Sequence, residues 1–568
     1  MANKTPTGIA AAYHAATKHQ PHRPARSPGH MDWANQPNPF RRYTGAPLLR
    51  LPFLPEDDTP AYDALYTAGA VSPRPLNAHT LGGFFEMSLA LSAWKEYRGA
   101  RWELRCNPSS GNLHPTEGYL VCGAIPGLTE EPGVYHYAPQ EHGIERRALI
   151  PGDAWALLRR GFPAPTFFAG LSSIWWRETW KYGERAYRYC HHDVGHAFAA
   201  FSFAGAALGW RVILLDALAD ADVAAILGLD RASDYENAEP EHPALLAAVV
   251  PVTHEAPVPG TLAHGAVSAL AAAAAWTGQA NRLSTDHIDW PLIDEAGAAS
   301  IKPVTKAPPY APLPQAAHTG GISAPPTARS IIVQRRSAVA MDGETGCDSA
   351  TFFTMLARTL PDTHKPPWYG LPPMPHAHLL IFVHRVSGIE RGLYLLVRGS
   401  DAAPVQAALH PDFAWATVPE AAALPLYLLK PGDFRSTAAQ VSCQQVIAGD
   451  SAFSLGMLAP FAGPLQEDGA WRYPRLFWET GAVGQVLYLE AERHGLRATG
   501  IGCFFDDLVH GIVGIDAPAL QSLYHFTIGG PVEDGRLRSL PPYSAERKLQ
   551  PGGFATGQHT DTIYPKGV

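Results

Sequence analysis

The chain has 568 residues, 46% of them hydrophobic and 17% charged, with a formal net charge of −8. That length suits about two to four domains, and the acidic balance argues against nucleic acid as the main partner, because no basic excess is present to neutralise phosphates. The cysteines Cys106, Cys122, Cys190, Cys347, Cys443 and Cys503 contain no CxxC pair, which argues against iron–sulfur clusters, structural zinc and a disulfide framework and suits a reducing cytoplasm.

The first 70 residues read as an extended arm rich in Pro, His and Arg, and the opening stretch holds no apolar run of the kind a signal peptide carries. Residues 71–260 form the first predicted domain. A helix is predicted near 78–97, then a polar loop "NPSSGN" (107–112), then strands in "YLVCGAI" (119–125) and "GVYHYA" (133–138). The apolar run "AFAAFSFAGAALGW" (197–210) is too short to cross a bilayer. It reads as a helix buried on every side and closed by Gly209. Residues 261–326 read as a helical segment followed by a Pro-rich linker. The second domain, 327–548, has a predicted helix near 346–359 and strands in "HLLIFVHR" (378–385) and "GLYLLVR" (392–398). Its long helix, "GAVGQVLYLEAERHGL", is polar on one side and ends at Gly495. Residues 549–568 read as a flexible tail.

The two halves resemble each other. Residues 193–230 align with 479–516 without a gap, placing Asp193 on Glu479, Gly195 on Gly481, Gly209 on Gly495 and Arg211 on Arg497. Nearer the start of each half, "FFEM" (84–87) matches "FFTM" (352–355). This pattern predicts an internal duplication of one α+β domain, with the copies packed as a pseudo-symmetric dimer.

Several segments carry candidate chemistry. Arg335, Arg336 and Ser337, in "VQRRSAVAMDG", combine two guanidiniums with a hydroxyl. That set suits phosphate oxygens or, on the plainer reading, a solvated basic turn. In "RATGIGCFFDD", Gly500 and Gly502 let the backbone approach something flat or bulky, and the matching place in the first half has no glycine. The polar loop has no counterpart in the second half, and the arginines have none in the first. One composite site between the halves accounts for this asymmetry. Lys181 and Tyr182, in "WKYGERAYR", are candidates for proton transfer beside a cationic site, the alternative being a Lys181–Glu184 surface pair. His192 and His196 lie one helical turn apart beside His191 and Asp193. That spacing suits zinc, but no HExxH glutamate or third ligand is evident, and packed helical histidines are the alternative.

Taken together, "NPSSGNLHPTEGYL", "KYGERAYRYCHHDVGH" (181–196), "RRSAVAMDG", "GIGCFFDD" and "SLYHFTIGGPVEDGRLRSLPPY" (522–543) resemble the SagB/ThcOx branch of the nitroreductase superfamily, over most of residues 10–545. The resemblance implies a nitroreductase-like fold duplicated in tandem, and an FMN-dependent oxidoreductase whose usual homodimer is here a single chain. It implies a phosphate grip by Arg335, Arg336 and Ser337, completed by Arg538 and Arg536. It places Ser109, Ser110 and Asn112 on the flavin ring and ribityl chain, with Pro108 shaping the loop and Arg105 at the pyrimidine edge. Backbone amides of Gly500, Ile501, Gly502 and Cys503 would face flavin N5 and O4, and Lys181-Tyr182 would be the catalytic pair. Val339 stands where the family often carries a further arginine, and Gly502 where it usually carries an acid. The implied substrate is a small molecule or a modified peptide, with NADH or NADPH as an electron source and neither nucleic acid nor membrane as a partner. The alternative is a catalytically degenerate scaffold that binds a leader peptide or partner enzyme in a peptide-maturation complex. A third reading is a zinc hydrolase built on the histidines.

Overall fold

The computed structural model describes residues 5–55, 58–314, 326–372, 374, 376–516 and 518–544. The predicted tail at 549–568 and part of the linker lie outside the described residues.

The arm is not wholly extended. It opens with helix α1 (Pro6–Ala16), which starts on Thr5, whose hydroxyl accepts the Gly8 N–H. Buried His14 of α1 bonds Gln521 and Tyr473 of the second lobe. In the first lobe, helix α2 (Ala78–Glu86) begins with a reciprocal capping box between Asn77 and Thr80. It stops at Glu86 rather than near 97, because residues 91–97 are taken by strand β1 (Leu91–Tyr97), laddered to β2 (Ala100–Arg105). A tertiary partner strand overrides the local helical reading.

The main sheet of the first lobe contains β3 (Thr116–Cys122), β4 (Gly133–Ala138), β5 (Gly143–Leu149) and β6 (Phe167–Ser173), followed by helices α3 (Trp175–Tyr182) and α4 (Ala186–Ala207) and strands β7 (Trp210–Leu214) and β8 (His242–Pro251). Its order is β5-β4-β3-β6-β8-β7, antiparallel throughout. The second lobe contains α5 (Ser349–Thr359), β9 (His378–Val383), β10 (Gly392–Leu396), β11 (Leu426–Pro431), β12 (Phe453–Pro460), α6 (Arg472–Arg493), β13 (Arg497–Ile501), α7 (Asp506–Val513) and β14 (Leu520–Gly529). Its order, β11-β10-β9-β12-β14-β13, repeats the first strand for strand, with every pair antiparallel.

The long helices α4 and α6 pack on each other, and one apolar core runs through both lobes. Every residue of α4 is buried: the apolar second half as predicted, and with it the polar Arg188, His191, His192, Asp193 and His196 of the first half. The polar side of α6 is largely covered too, apart from Arg472 and Arg493 at its ends. Its Glu479 and Glu490 are buried in ion pairs, each 2.7 Å from Arg398 and Arg358 respectively. Both helices end ahead of a glycine in the left-handed conformation, Gly209 (φ +69°) and Gly495 (φ +71°). After the second sheet the chain crosses back, and β15 (Arg538–Leu540) adds to β1 of the first lobe. Among the described residues no helix is long and apolar enough to cross a membrane.

Candidate active site between the lobes

A cavity of about 860 Å³ opens where the lobes meet, within the range of roughly 300–1,000 Å³ found for small-molecule and cofactor sites. The end of β2 and the loop after it form one wall. Residues 334–339 and Thr499-Gly500 of β13 form the opposite wall, and α4 contributes Asp193 and His196.

The loop is built for shape. Gly111, Asn112 and His114 all adopt positive φ, at +59°, +60° and +52°, a conformation that is costly for non-glycine residues and clusters at functional sites. Side-chain bonds hold it there. Asn112 Nδ2 donates to the Glu103 carbonyl at 2.7 Å, and Asn112 Oδ1 lies 3.1 Å from His114 Nε2. The His114 N–H donates to Ser109 Oγ at 2.8 Å. The Ser110 N–H donates to Asp193 Oδ1 at 3.2 Å. Part of the loop's polar capacity therefore folds the loop itself, and part clamps a buried acid.

That acid has a partner. Burial, and then neighbouring Asp193, push the Glu178 carboxyl well above its ordinary range, and burial pushes Asp193 up to about 7. Glu178 Oε2 and Asp193 Oδ2 are buried without a hydrogen-bond partner. Two carboxyls in one apolar setting cannot both ionise cheaply, so the pair retains a proton near neutral pH. Sequence reasoning did not single out Glu178 and named Asp193 only in the repeat, opposite Glu479, and beside the histidines. Their one shared cue is position, on two consecutive helices, which reveals nothing until those helices turn back on the loop.

The facing wall is cationic. Arg335 is buried and donates to the carbonyls of Cys106 (3.2 Å) and Arg105 (3.0 Å), while its Nη1 has no partner. Arg336 donates to the carbonyls of Val333, Arg335 and Ser92 at 2.7–2.9 Å. Arg105 donates to the Pro39 carbonyl, and its Nε is unpartnered. None of the three meets a carboxylate among the described residues. Burial lowers the Arg335 pKa, and burial together with the adjacent Arg335 charge lowers that of Arg336 to about 10. By contrast, Arg497, also in the wall, is neutralised by Glu492. Arg335 and Arg105 are buried and Arg336 is half-buried, and guanidiniums without an ion-paired carboxylate are costly to desolvate, so this wall is suited to an anion.

The structure brings Arg105, Pro108, Ser109, Ser110, Asn112, Arg335, Arg336, Ser337 and Gly500 to this cavity. It does not bring the remaining candidates into the lining. Ile501 is in the core of the second lobe. The Gly502 carbonyl accepts from Arg185 Nη2 at 3.0 Å, and Cys503 sits beside Cys443. Arg536 pairs with Asp534 and Arg538 with Glu96, with both arginine side chains at least 70% exposed. Solvation and a near carboxylate hold these two on the surface instead of in the grip. Lys181 and Tyr182 are outside the lining but converge on Gly111: a Cβ there would lie 2.5 Å from the Tyr182 hydroxyl and 3.1 Å from Lys181 Nζ.

The Gly-rich turn also differs from expectation. The Gly500 N–H donates to the Tyr488 hydroxyl at 3.0 Å, and the same hydroxyl bonds Ser337 Oγ at 2.9 Å. A Cβ on Gly500 would strike the Tyr524 hydroxyl, and one on Gly502 would lie 2.5 Å from the Tyr189 ring. The flat, bulky groups these glycines admit are the protein's own tyrosines. The histidines are packed side chains. His192 stacks on Tyr524 at 4.0 Å, and His196 bonds Gln485 and Tyr524 with its pKa lowered by burial to about 3. Among the described residues no group of three or more His, Cys, Asp or Glu is placed to hold a metal ion.

A solved structure from Anabaena variabilis, named as a nitroreductase, matches 92% of this chain and 99% of its own at TM-score 0.61 and 20% identity. The chain has the nitroreductase fold. A curated protein of Methanocaldococcus jannaschii, also named as a nitroreductase, is 30% identical over 126 residues, which is 21% of this chain. The chain spans 62% of the length of that relative. No protein-family model matches.

Proposed function

We propose that the chain is an FMN-dependent oxidoreductase of the SagB/ThcOx nitroreductase type, carrying out two-electron redox on a small molecule or modified peptide, with NADH or NADPH as an electron source. The observation that carries this reading is the pair of buried Arg335 and half-buried Arg336, neither ion-paired to a carboxylate among the described residues, in the same cavity as the Ser109–Asn112 loop.

The residues fit the cofactor. Arg335, with its free Nη1, and Arg336 would hold the phosphate, joined by Ser337. Ser109, Ser110 and Asn112 would meet the polar edge of the ring and the ribityl chain, with Arg105 beside them. Bound there, the flavin supplies hydride chemistry. The protein contributes orientation and a proton: Asp193, fixed by the Ser110 N–H and backed by Glu178, holds a titratable proton at the cavity wall. Lys181 and Tyr182 act from behind Gly111, where they shape the loop. The repeated strand order and the ungapped match of residues 193–230 with 479–516 support an origin by tandem duplication, each copy keeping the part of the site the other lacks.

Purified full-length protein should be yellow, or become so on addition of FMN, with one FMN per chain and bleaching by NADH or NADPH. A colourless protein that leaves FMN fluorescence unchanged would sink the proposal. FMN binding without reduction by either nucleotide would favour the scaffold reading.

A further inference from the structure

We propose that Cys443 and Cys503 are a redox-active dithiol that closes to a disulfide, a second functional site independent of the flavin reading. The two thiols are 60 positions apart in the chain, yet their sulfurs are 2.7 Å apart. A disulfide closes at about 2.05 Å, so bond formation requires only a small contraction. The segments that carry them are already joined. The Phe505 N–H donates to the Val441 carbonyl at 2.8 Å, and Gln445 Nε2 bridges the carbonyls of Ser442 (2.9 Å) and Cys503 (3.1 Å). Cys443 and Gln444 both hold positive φ, +55° and +61°, a conformation rarely kept by two successive non-glycine residues without a functional reason.

The two sulfurs are not equivalent. Cys503 is exposed and Cys443 is half-buried. The Cys443 S–H, a hydrogen bond from His19 of the N-terminal arm and the Arg185 charge lower the Cys503 thiol to about 5, while Cys443 is raised by the same contact. An exposed thiolate backed by a protonated thiol is the division of labour that thiol–disulfide exchange needs. With a low-molecular-weight disulfide RSSR as oxidant, the Cys503 thiolate attacks one sulfur and releases RS⁻, leaving a mixed disulfide on Cys503. Cys443 then loses its proton to water and attacks the Cys503 sulfur, forming the Cys443–Cys503 bond and releasing the second RS⁻. The protein dithiol loses two electrons, and RSSR is reduced to two thiolates.

The test uses the full chain with glutathione disulfide as RSSR, followed by alkylation and mass mapping without reductant. Expected for the wild type is a protein lighter by two hydrogens, with a Cys443–Cys503 cross-linked peptide and no retained glutathione. Cys443→Ser should keep a stable glutathione adduct on Cys503, and Cys503→Ser should gain neither adduct nor cross-link at Cys443. Before oxidation, Cys503 should alkylate at least about 10-fold faster than Cys347 at pH 6, because a lowered pKa leaves it largely thiolate. A wild-type protein that retains glutathione on Cys503, or whose Cys443 and Cys503 both still alkylate after treatment, overturns the proposal.

Discussion

Gly195 of α4 and Gly481 of α6 lie against each other's helix at equivalent positions. A Cβ on Gly195 would strike the Trp478 carbonyl, and one on Gly481 would strike the His192 carbonyl. Both members of each pair, Gly195 with Gly481 and His192 with Trp478, are 286 positions apart in the chain. The contact is thus reciprocal, as at an isologous dimer interface, but within one chain. It brings the helices into backbone contact and sets the spacing of the two walls of the cavity.

Gly481→Ala should therefore destabilise the whole chain, by about 1–3 kcal/mol for overpacking against rigid backbone. Gly511→Ala, in α7 with open space around it, should instead gain about 0.5–1 kcal/mol from helix propensity. Urea midpoints of the two variants check this, and equal midpoints would refute the close-contact argument.

Arg336→Gln should weaken FMN binding about 10- to 100-fold, since a hydrogen bond to a charged group contributes about 1.5–3 kcal/mol. The cofactor-free protein should keep its stability within about 1 kcal/mol, because loss of the carbonyl bonds is offset by removal of a half-buried cation beside Arg335. FMN titration and denaturation of the free protein measure the two effects separately.

The Glu178–Asp193 pair predicts a signed pH dependence. A carboxyl whose folded pKa is raised binds its proton more tightly in the folded state, so its contribution to stability falls as pH rises from the unfolded value toward the folded one. For Asp193 that window runs from 3.8 to about 7. Asp193→Asn mimics the protonated form and removes the effect. The variant should match the wild type near the acid end of the window and be the more stable protein above it. Stability curves at both ends decide the matter, and a wild type that gains on Asp193→Asn as pH rises would contradict the assignment.

Gly111→Ala should displace the loop, since the position has φ +59° and the new methyl would crowd the Tyr182 hydroxyl. FMN affinity should fall about 10-fold or more, as a loss of roughly 1.4 kcal/mol implies. Adding Tyr182→Phe should recover part of the loss by removing the colliding oxygen. Non-additive affinities in this cycle would demonstrate the contact, and strict additivity would deny it.

Two strands in each half, the long helices, the likeness of the halves and the two capping glycines were legible in the sequence, because periodicity and backbone conformation are local properties. So was the asymmetry that divides the polar loop from the arginines. What the sequence could not specify was which groups meet. Gly500 and Gly502 announce a close approach, but only packing reveals that Tyr524 and Tyr189 make it. Arg335 and Arg538 are the same residue type, yet Arg335 ends buried among carbonyls and Arg538 ends in water beside Glu96. The stretch 91–97 became a strand because β2 and β15 supply its ladder. Glu178 with Asp193, and Cys443 with Cys503, are pairs that only the tertiary structure creates, since their proximity and their shifted protonation depend on burial and charge contributed from distant parts of the chain.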